Sequence, residues 1–313
     1  MIGVVCLNPA LDITHHVAAV DWAGVNRPSA VHTRPGGKGL NVARTLQALG
    51  ADVQVLGLAG GVTGAGVQTA LAGLGVPAHW TSIGGETRRT FTVVDRAGGG
   101  AALFNEPGPP VSDGEYAEFS VRYKEVLARC AAVVLSGSLP PGVPEDAYAG
   151  LISLAAAAGV PVVLDTHGAA LRYGAAAGPA IVKPNLAELA AITGRPLSVA
   201  GRLAVVAAAR ELRALGAQAV VASLGADGLH AATADSIWWA APLAPVAGNP
   251  TGAGDAVVAA LVHGLVLGRP WDVQLRYAVA AGTAAAMAPA AGEFSVADYT
   301  RALAAVTIWD EAG

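Results

Sequence analysis

The segment GNPTGAGDAVVAALVHGL, residues 248–265, places two glycines and an acidic residue directly before an apolar helical pattern. The backbone N–H groups of Gly252, Ala253 and Gly254 could converge on one anion, because a glycine-rich turn exposes them at the positive end of a helix. Asp255 could cap that helix, which is worth about 1 kcal/mol, or it could act as a base toward a hydroxyl group. This segment alone leaves both roles open.

A second glycine-rich segment, RPGGKGLNVARTLQALG at residues 34–50, places Lys38 among three glycines at the start of another helical pattern. Exposed N–H groups and an ammonium group suit a phosphate, although a solvated lysine in a loop is the alternative. The segment is not a Walker P-loop, because Gly39 follows Lys38 where Ser or Thr is required. The dinucleotide fingerprint is absent from residues 252–257, since Val257 replaces its last glycine, so a nicotinamide or flavin enzyme is weakly supported.

Two further segments carry polar side chains at strand or helix ends. In IVKPNLAEL, residues 181–189, Asn185 and Glu188 are three apart and share a helix face. Their oxygens suit Mg²⁺ held near phosphates, and a helix capping box is the alternative. In GETRRTF, residues 85–91, Arg88 and Arg89 point to opposite faces of a strand. One of the two arginines could clamp a substrate phosphate while the other is solvated.

The elements that must position these residues alternate between short apolar runs and Ala/Leu-rich helical patterns. This alternation predicts βαβ units, a mainly parallel sheet and an α/β fold. Ligands of such a sheet lie beyond the carboxyl ends of its strands. The predicted strands are 3–7, 52–59, 131–137, 160–165, 180–184 and 219–225, and the predicted helices are 41–49, 64–74, 115–130, 145–158, 186–193 and 200–215.

Two segments interrupt this rhythm with alternating apolar and polar residues, at 11–21 and 89–108. The second has a glycine-rich tip at 98–100 and is typical of a β-hairpin. Both patterns indicate strands with one solvated or ligand-facing side. We therefore predict a single domain over residues 1–313, with a small β-sheet lid formed from about 11–35 and 86–107.

The composition excludes several classes of function. Hydrophobic residues make up 53% of the 313 residues, but alanine is the commonest of them, and no apolar run reaches the ~20 residues of a membrane span. The net charge of −4, without a basic stripe, gives no reason to expect nucleic acid. Two isolated cysteines and an amino terminus that reads as a strand indicate a cytoplasmic protein.

Nine stretches occur in one order along the chain: LNPALD, VNR, GGKGLNVAR, GETR, SGSLPPG, LDTHGAAL, VKPNLAEL, SLGADG and NPTGAGD. In this combination the chain resembles the ribokinase-like (PfkB) carbohydrate kinases, and specifically the sugar-phosphate branch that contains 1-phosphofructokinase and tagatose-6-phosphate kinase. The resemblance implies a three-layer α/β sandwich with a mainly parallel central sheet and a small β-sheet lid. It also implies Mg²⁺-dependent transfer of the ATP γ-phosphoryl group to a ketohexose phosphate, and a homodimer formed through the lid, with Arg27 reaching the neighbouring site.

The resemblance further implies a role for individual residues. Asp255 would be the base, and Gly252, Ala253 and Gly254 would form the anion hole. The residues implied to bind the acceptor are Asp12, Gly37, Lys38, Asn41, Arg88 and Ser136. The residues implied to bind the nucleotide are Lys183, Asn185, Glu188, Ser223, Gly225 and Gly228, with Glu188 acting on Mg²⁺ indirectly.

The chain departs from the family pattern at Thr90, where many relatives carry Asn or Cys. An asparagine that some relatives place near the adenine has no clear counterpart in AGTAAAMAPAAGEF, residues 281–294. Two alternatives to a sugar-phosphate kinase stay open: a kinase for an unphosphorylated sugar or nucleoside, and a non-catalytic sugar-phosphate-binding protein. The pairing of Lys38 with Arg88 favours a phosphorylated acceptor, and intact Asp255, Asn185 and Glu188 favour catalysis. The choice between fructose 1-phosphate and tagatose 6-phosphate is not made by these motifs.

Overall fold

The computed structural model describes residues 1–244, 246, 251–288 and 292–310. In chain order, its strands are β1 (Ile2–Cys6), β2 (Ala10–Val17), β3 (Ala30–Gly36), β4 (Val53–Ala59), β5 (Ala78–Ser82), β6 (Arg88–Asp95), β7 (Gly100–Asn105), β8 (Ala132–Ser136), β9 (Val162–Asp165), β10 (Ile181–Val182), β11 (Ala219–Ser223), β12 (Leu229–Ala232), β13 (Ile237–Pro242) and β14 (Val306–Asp310). Its α-helices are α1 (Lys38–Ala48), α2 (Gly61–Gly73), α3 (Asp113–Leu127), α4 (Ala147–Ala157), α5 (Gly168–Ala176), α6 (Leu186–Thr193), α7 (Arg202–Ala214), α8 (Ala253–Val266), α9 (Trp271–Met287) and α10 (Val296–Leu303).

The larger sheet has the strand order β14-β13-β12-β11-β10-β9-β8-β1-β4-β5. The parallel part of this sheet consists of β5, β4, β1, β8, β9, β10 and β11. Strands β12, β13 and β14 continue the sheet in antiparallel pairs. Successive side chains of a strand point to opposite faces, and both faces of this sheet are buried. Val5 accordingly packs into one core and Val4 into the other, which explains why these strands read as continuous apolar runs.

Helices cover both faces of the larger sheet and give the predicted three-layer arrangement. Phe119 and Tyr123 of α3 and Tyr148 of α4 lie in the core on one face. Leu40 of α1 and Leu261 of α8 lie in the core on the other face. The prediction of a mainly parallel α/β sandwich is therefore confirmed.

A second, four-stranded sheet has the order β3-β2-β6-β7, and we call it the lid. Strands β2 and β6 pair in parallel, while β3 and β7 pair antiparallel at the two edges. The predicted hairpin is confirmed as β6 and β7. Most lid side chains are partly exposed, in contrast to the buried strands of the larger sheet.

The structure differs from the sequence-based prediction mainly at element ends. Helix α1 begins three residues earlier than predicted, at Lys38. Strand β10 has two residues instead of five, because Pro184 has no N–H group to donate to a ladder. Strand β5, helix α5 and the antiparallel strands β12 and β14 were not predicted. That residues 1–313 form one domain stays a prediction, and 311–313 lie outside the described ranges.

Two expectations about chemical context can be compared with the described residues. None of the described helices is long and apolar enough to cross a membrane. Cys6 and Cys130 are both free thiols, as their isolated positions predicted.

Candidate active site

A cavity of about 1250 Å³ opens at the carboxyl ends of the parallel strands. Strand β4 lies next to β1 toward one edge of the sheet, and β8 lies next to β1 toward the other edge. The strand order therefore reverses between β1 and β8, and ligands of open α/β sheets bind at such a point. The cavity is lined by Asn8 after β1, Ser138 after β8, Asp165 at the end of β9, Lys183 after β10 and Ser223 at the end of β11. Because ordinary small-molecule sites measure roughly 300–1,000 Å³, this cavity has room for two ligands.

Helix α8 brings Asp255 into this cavity. Its cap residue is Gly252, whose φ of +90° is a left-handed conformation that suits glycine. Asp255 lies in the first turn of the helix and forms no cap hydrogen bond, so the capping interpretation was wrong. Its side chain is 6% exposed and lines the cavity. Asn41 Nδ2 donates to Asp255 Oδ2 at 2.9 Å, which fixes the carboxyl group.

The surroundings of Asp255 prepare it to accept a proton. Burial, together with the nearby charge of Asp165, raises the pKa of Asp255 to about 7, against the opposing effects of Lys38, Asn41 and Lys183. A general base works best when its pKa lies near the operating pH. The carboxyl group is therefore matched to proton transfer near neutral pH.

Asp165 lines the cavity and lies between two lysines. Its Oδ1 atom lies 3.4 Å from Lys38 Nζ and 3.4 Å from Lys183 Nζ, and its side chain is 1% exposed. Burial lowers the pKa of Lys38, but the attraction of Asp165, Glu188 and Asp255 outweighs this effect and leaves the pKa above its usual range. The ammonium group of Lys38 is thus held as a cation where phosphate oxygens could meet it.

Sequence reasoning gave Asp165 no role, although it ends the buried strand segment VVLD. A charged residue at the carboxyl end of a buried parallel strand is the signal that could have identified it. Its Oδ2 atom is buried and has no hydrogen-bond partner among the described residues.

Three helices begin at the cavity, so their positive amino-terminal ends face it. Helix α1 begins at Lys38, α8 at Ala253 and α6 at Leu186. Asn185 caps α6 in a capping box: its side chain accepts from the Glu188 N–H at 2.8 Å, and Glu188 Oε2 accepts from the Asn185 N–H at 2.8 Å. The capping alternative is confirmed, and the role of these two residues toward a nucleotide stays a prediction.

The lid contributes Arg88 and Asp12 to the opposite wall of the cavity. Arg88 donates from Nε to the Asn8 carbonyl and from Nη1 to the Glu106 carbonyl, both at 3.2 Å, and these bonds hold its guanidinium group in place. Arg89 is exposed, and its Nε lies 3.9 Å from Glu106 Oε1. The two arginines therefore point to opposite faces of β6, as predicted.

The structure brings nearly all the predicted site residues together. Those that line the cavity are Asp12, Gly37, Lys38, Asn41, Arg88, Lys183, Asn185, Ser223, Gly225, Gly228, Gly252, Ala253, Gly254 and Asp255. Glu188 borders it, with Oε1 3.9 Å from Lys38 Nζ. Arg27 lies on an exposed loop between β2 and β3.

The expectation for Ser136 is corrected by the structure. Ser136 is the last residue of β8, is fully buried and does not line the cavity. The chain reaches the cavity only after the strand ends, so Ser138 occupies the wall instead. Ser138 Oγ accepts a hydrogen bond from Asn8 Nδ2 at 3.1 Å.

The carboxylates of the site fit a metal held mainly by its substrate. Among the described residues, no group of three His, Cys, Asp or Glu side chains could enclose a metal ion. Mg²⁺ commonly keeps several waters and binds through one or two carboxylates and substrate phosphates. Asp165, with its unpartnered oxygen, and Glu188 both lie within 4 Å of Lys38 Nζ and suit this arrangement.

A buried carboxyl group, a pair of lysines and three helix starts, arranged around one large cavity, match the site expected of a phosphotransferase of the carbohydrate kinase class. The model of the pfkB family of carbohydrate kinases matches residues 5–297. The chain belongs to this family.

Characterised relatives support the same membership. The chain is 39% identical over 267 residues to a 1-phosphofructokinase of Xanthomonas campestris pv. campestris, covering 84% of this chain and 83% of that protein. It is 39% identical over 269 residues to a 1-phosphofructokinase of Rhodobacter capsulatus, covering 85% and 84%. The crystal structure of phosphofructokinase-2 from Escherichia coli in complex with potassium has a TM-score of 0.89 at 31% identity, covering 97% and 98%.

Proposed function

We propose that this protein transfers the γ-phosphoryl group of ATP to a hydroxyl group of a ketohexose phosphate and releases ADP and a sugar bisphosphate. The observation that carries this proposal is the buried Asp255 carboxyl group, with a pKa of about 7, in a cavity large enough for both substrates. The cationic Arg88 on the lid wall supports an acceptor that already carries a phosphate.

Fructose 1-phosphate is the acceptor that we favour. Two relatives of 39% identity that cover most of the chain are named 1-phosphofructokinase. Tagatose 6-phosphate is the second candidate from the sequence. Fructose 6-phosphate is a third, because the similar phosphofructokinase-2 of E. coli has been crystallised in complex with it. These acceptors differ in stereochemistry or in the carbon that bears phosphate.

In the proposed reaction, Asp255 takes the proton of the acceptor hydroxyl as its oxygen forms a bond to the γ-phosphorus of ATP and the bond to the ADP oxygen breaks. Asn41 holds one oxygen of Asp255, so the other oxygen is available for the proton. The amides of Gly252, Ala253 and Gly254 stabilise the charge on the transferring group, because preorganised donors need no rearrangement in the transition state. Phosphoryl transfer depends mainly on such positioning and charge stabilisation.

The lysines and carboxylates on the cavity floor complete this arrangement. Lys183 Nζ would lie 3.5 Å from a Cβ atom at Gly254, so it is close to the anion hole and suited to phosphate oxygens. Bound Mg²⁺ would neutralise charge on the β- and γ-phosphates, and Asp165 and Glu188 are the residues that would hold it, directly or through water.

We place the nucleotide over the turn between β11 and β12 and beside α9. Ser223, Gly225 and Gly228 line the cavity at this turn, and Gly282 and Ala286 line it on α9. The glycines and alanine among these residues have no bulky side chains that would exclude an adenine ring. Small side chains on α9 thus offer surface contact where some relatives have an asparagine.

The lid also supports the proposal of a homodimer. The strand register puts Ile13, Phe91 and Phe104 in one row and Val31 in the next, on the face away from the cavity. Phe104 is 53% exposed and Val31 is 52% exposed. A second lid would cover this apolar face, and Arg27, on the loop between β2 and β3, would extend toward the neighbouring site. Free thiols fit a reducing compartment, and we place the enzyme in the cytoplasm.

An acceptor screen tests the proposed function. Purified protein with ATP and Mg²⁺ is assayed for ADP release with fructose 1-phosphate, tagatose 6-phosphate, fructose 6-phosphate, fructose and ribose, and ADP release without acceptor is subtracted. We expect the highest kcat/KM with fructose 1-phosphate. Turnover confined to unphosphorylated sugars would contradict the proposal, and binding of sugar phosphate without turnover would support the non-catalytic alternative.

A further inference from the structure

The cavity-facing side of the lid is organised as a row of side chains across its four strands. Asp12 of β2 lies opposite Arg34 of β3 and opposite Thr90 of β6, and Thr90 lies opposite Asn105 of β7. All four residues line the cavity. Residues directly opposite each other on one face of a sheet are close enough to interact, so Asp12 has a neighbour on each side.

Asp12 is held between two of its neighbours. Thr90 Oγ1 donates to Asp12 Oδ1 at 2.5 Å. Gly36 lies beside the same carboxyl group: a Cβ atom at this position would lie 1.9 Å from Asp12 Oδ2. The carboxyl group therefore occupies space that any side chain at position 36 would fill.

The two oxygens of Asp12 have different partners. Oδ1 accepts the Thr90 hydrogen bond, whereas Oδ2 accepts no hydrogen bond from the described part of the chain. Burial raises the pKa of Asp12, and the Thr90 hydrogen bond, Arg88 and Arg44 oppose this rise. One oxygen is thus fixed by the protein, and the other is available to a hydroxyl group in the cavity.

We propose that Thr90 is a positioning residue that fixes Asp12 against Gly36, so that Asp12 Oδ2 binds a hydroxyl group of the acceptor and selects among ketohexose phosphates. This inference rests on the proposed function, in which Asp12 contacts the sugar. Thr90 acts through Asp12, since its own hydroxyl hydrogen is already donated to Oδ1. A hydrogen bond to a charged group contributes enough to change binding roughly 10- to 100-fold.

Two substitutions at position 90 separate positioning from packing. Thr90→Val keeps the shape and removes the donor, whereas Thr90→Ser keeps the donor. For Thr90→Val we expect KM for the favoured sugar phosphate to rise about tenfold, with KM for ATP changed less than about twofold. Thr90→Ser should stay close to wild type. The ratio of the kcat/KM values for fructose 1-phosphate and tagatose 6-phosphate should move toward one in Thr90→Val but not in Thr90→Ser.

A third variant approaches Asp12 from its other side. Gly36→Ala should displace the carboxyl group and reproduce the loss of acceptor affinity, again without a matching change for ATP. Thermal unfolding of each variant checks that the fold is kept. Three outcomes would each overturn the inference. Thr90→Val could keep the wild-type KM for the acceptor, Thr90→Ser could be as impaired as Thr90→Val, or the variants could lose affinity equally for ATP and for the acceptor.

Calorimetric titration of fructose 1-phosphate and tagatose 6-phosphate separates this inference from the proposed function. If the wild-type protein binds a sugar phosphate but does not turn it over, the kinase proposal fails, and the comparison of Kd between Thr90→Val and Thr90→Ser still decides the role of Thr90. If the wild-type protein turns over and Thr90→Val binds equally well, the inference alone fails. If wild type neither binds nor turns over, both fail.

Discussion

The two walls of the cavity differ in how firmly their charged groups are held. On the wall formed by the larger sheet, Asp165, Lys183 and Asp255 are almost completely buried; Asp165 and Lys183 form an ion pair, and the charges of both act on the pKa of Asp255. On the lid wall, Asp12 and Arg88 are only partly buried, and they are held by hydrogen bonds within a thin sheet. A fixed, buried wall suits the reacting groups, whereas an open wall suits a sugar that must enter and leave.

This division predicts that substitutions on the sheet wall lower kcat and substitutions on the lid wall raise KM for the acceptor. The largest expected effect is that of Asp255→Asn, which keeps the shape and removes the base. We expect kcat to fall at least ~10²-fold with KM values changed little, measured by steady-state ADP release. Near-normal turnover would remove Asp255 from the reaction.

The stability of Asp255→Asn provides its control. Because the pKa of Asp255 is raised, the folded state binds this proton more tightly than the unfolded chain does, and ionisation of Asp255 destabilises the folded state. The stability contributed by the protonated form is fully present below the unfolded pKa of 3.8 and is lost as pH rises through about 7. The variant should therefore be at least as stable as wild type at pH 8, and the difference should shrink toward pH 4. Denaturant unfolding at both pH values checks this, and a variant less stable at pH 8 would make the kinetic loss ambiguous.

The next effect belongs to the lid wall. Arg88→Met should raise KM for the sugar phosphate about 10- to 100-fold, because it removes a charged donor facing the acceptor. Its KM for ATP should stay within about twofold. Arg89→Met is the matched control, since Arg89 points to the other face of β6 and is exposed. Equal effects of the two substitutions would contradict a specific role for Arg88.

The pH dependence of turnover sharpens the role of the sheet wall. With its pKa at about 7, Asp255 is protonated and inactive as a base at lower pH. We expect kcat/KM for the acceptor, which reports the pKa values of the free enzyme, to fall about tenfold for each pH unit below this pKa. The residual activity of Asp255→Asn should lack this dependence. If wild type and variant show the same pH profile, another group controls the rate.

The smallest effect on chemistry is expected outside the cavity. Phe104→Glu places a charge on the exposed apolar face of the lid and should convert a dimer into a monomer, observed by light scattering during gel filtration. Val121→Glu is the control, because Val121 is similarly exposed at 56% but lies on α3. A wild-type monomer, or dissociation by both substitutions, would exclude the proposed lid interface.

The sequence predicted features set by a few neighbouring residues better than contacts between distant segments, and the reason is physical. The glycine-rich helix starts at Lys38 and Ala253 have local signals that depend on a few neighbouring residues. The contacts of Asp165 with Lys38 and Lys183 join three separate segments, so no local pattern announces them. Ser136 was misplaced because strand ends are uncertain by a residue or two, and Ser138 lies on the wall instead.

The pairing of the lid strands likewise depends on distant segments and could not be predicted from local patterns. Alternation predicted strands with a ligand-facing side, but it did not predict which strands are neighbours. The parallel pairing of β2 with β6 is what brings Thr90 beside Asp12, although the two residues are 78 positions apart in the sequence. Register across strands is set by the tertiary fold, which is why Thr90 appeared from sequence only as a departure from a family pattern.

Strand β3 and helix α1 are separated by Gly37 alone, since β3 ends at Gly36 and α1 begins at Lys38. This single residue connects the sheet that we propose binds the sugar to the helix whose Asn41 donates a hydrogen bond to Asp255. Because only one residue separates them, a tilt of the lid would also move the start of α1. In the proposed reaction, such a movement would couple acceptor recognition to the alignment of the proton acceptor, even though the two are assigned to opposite walls.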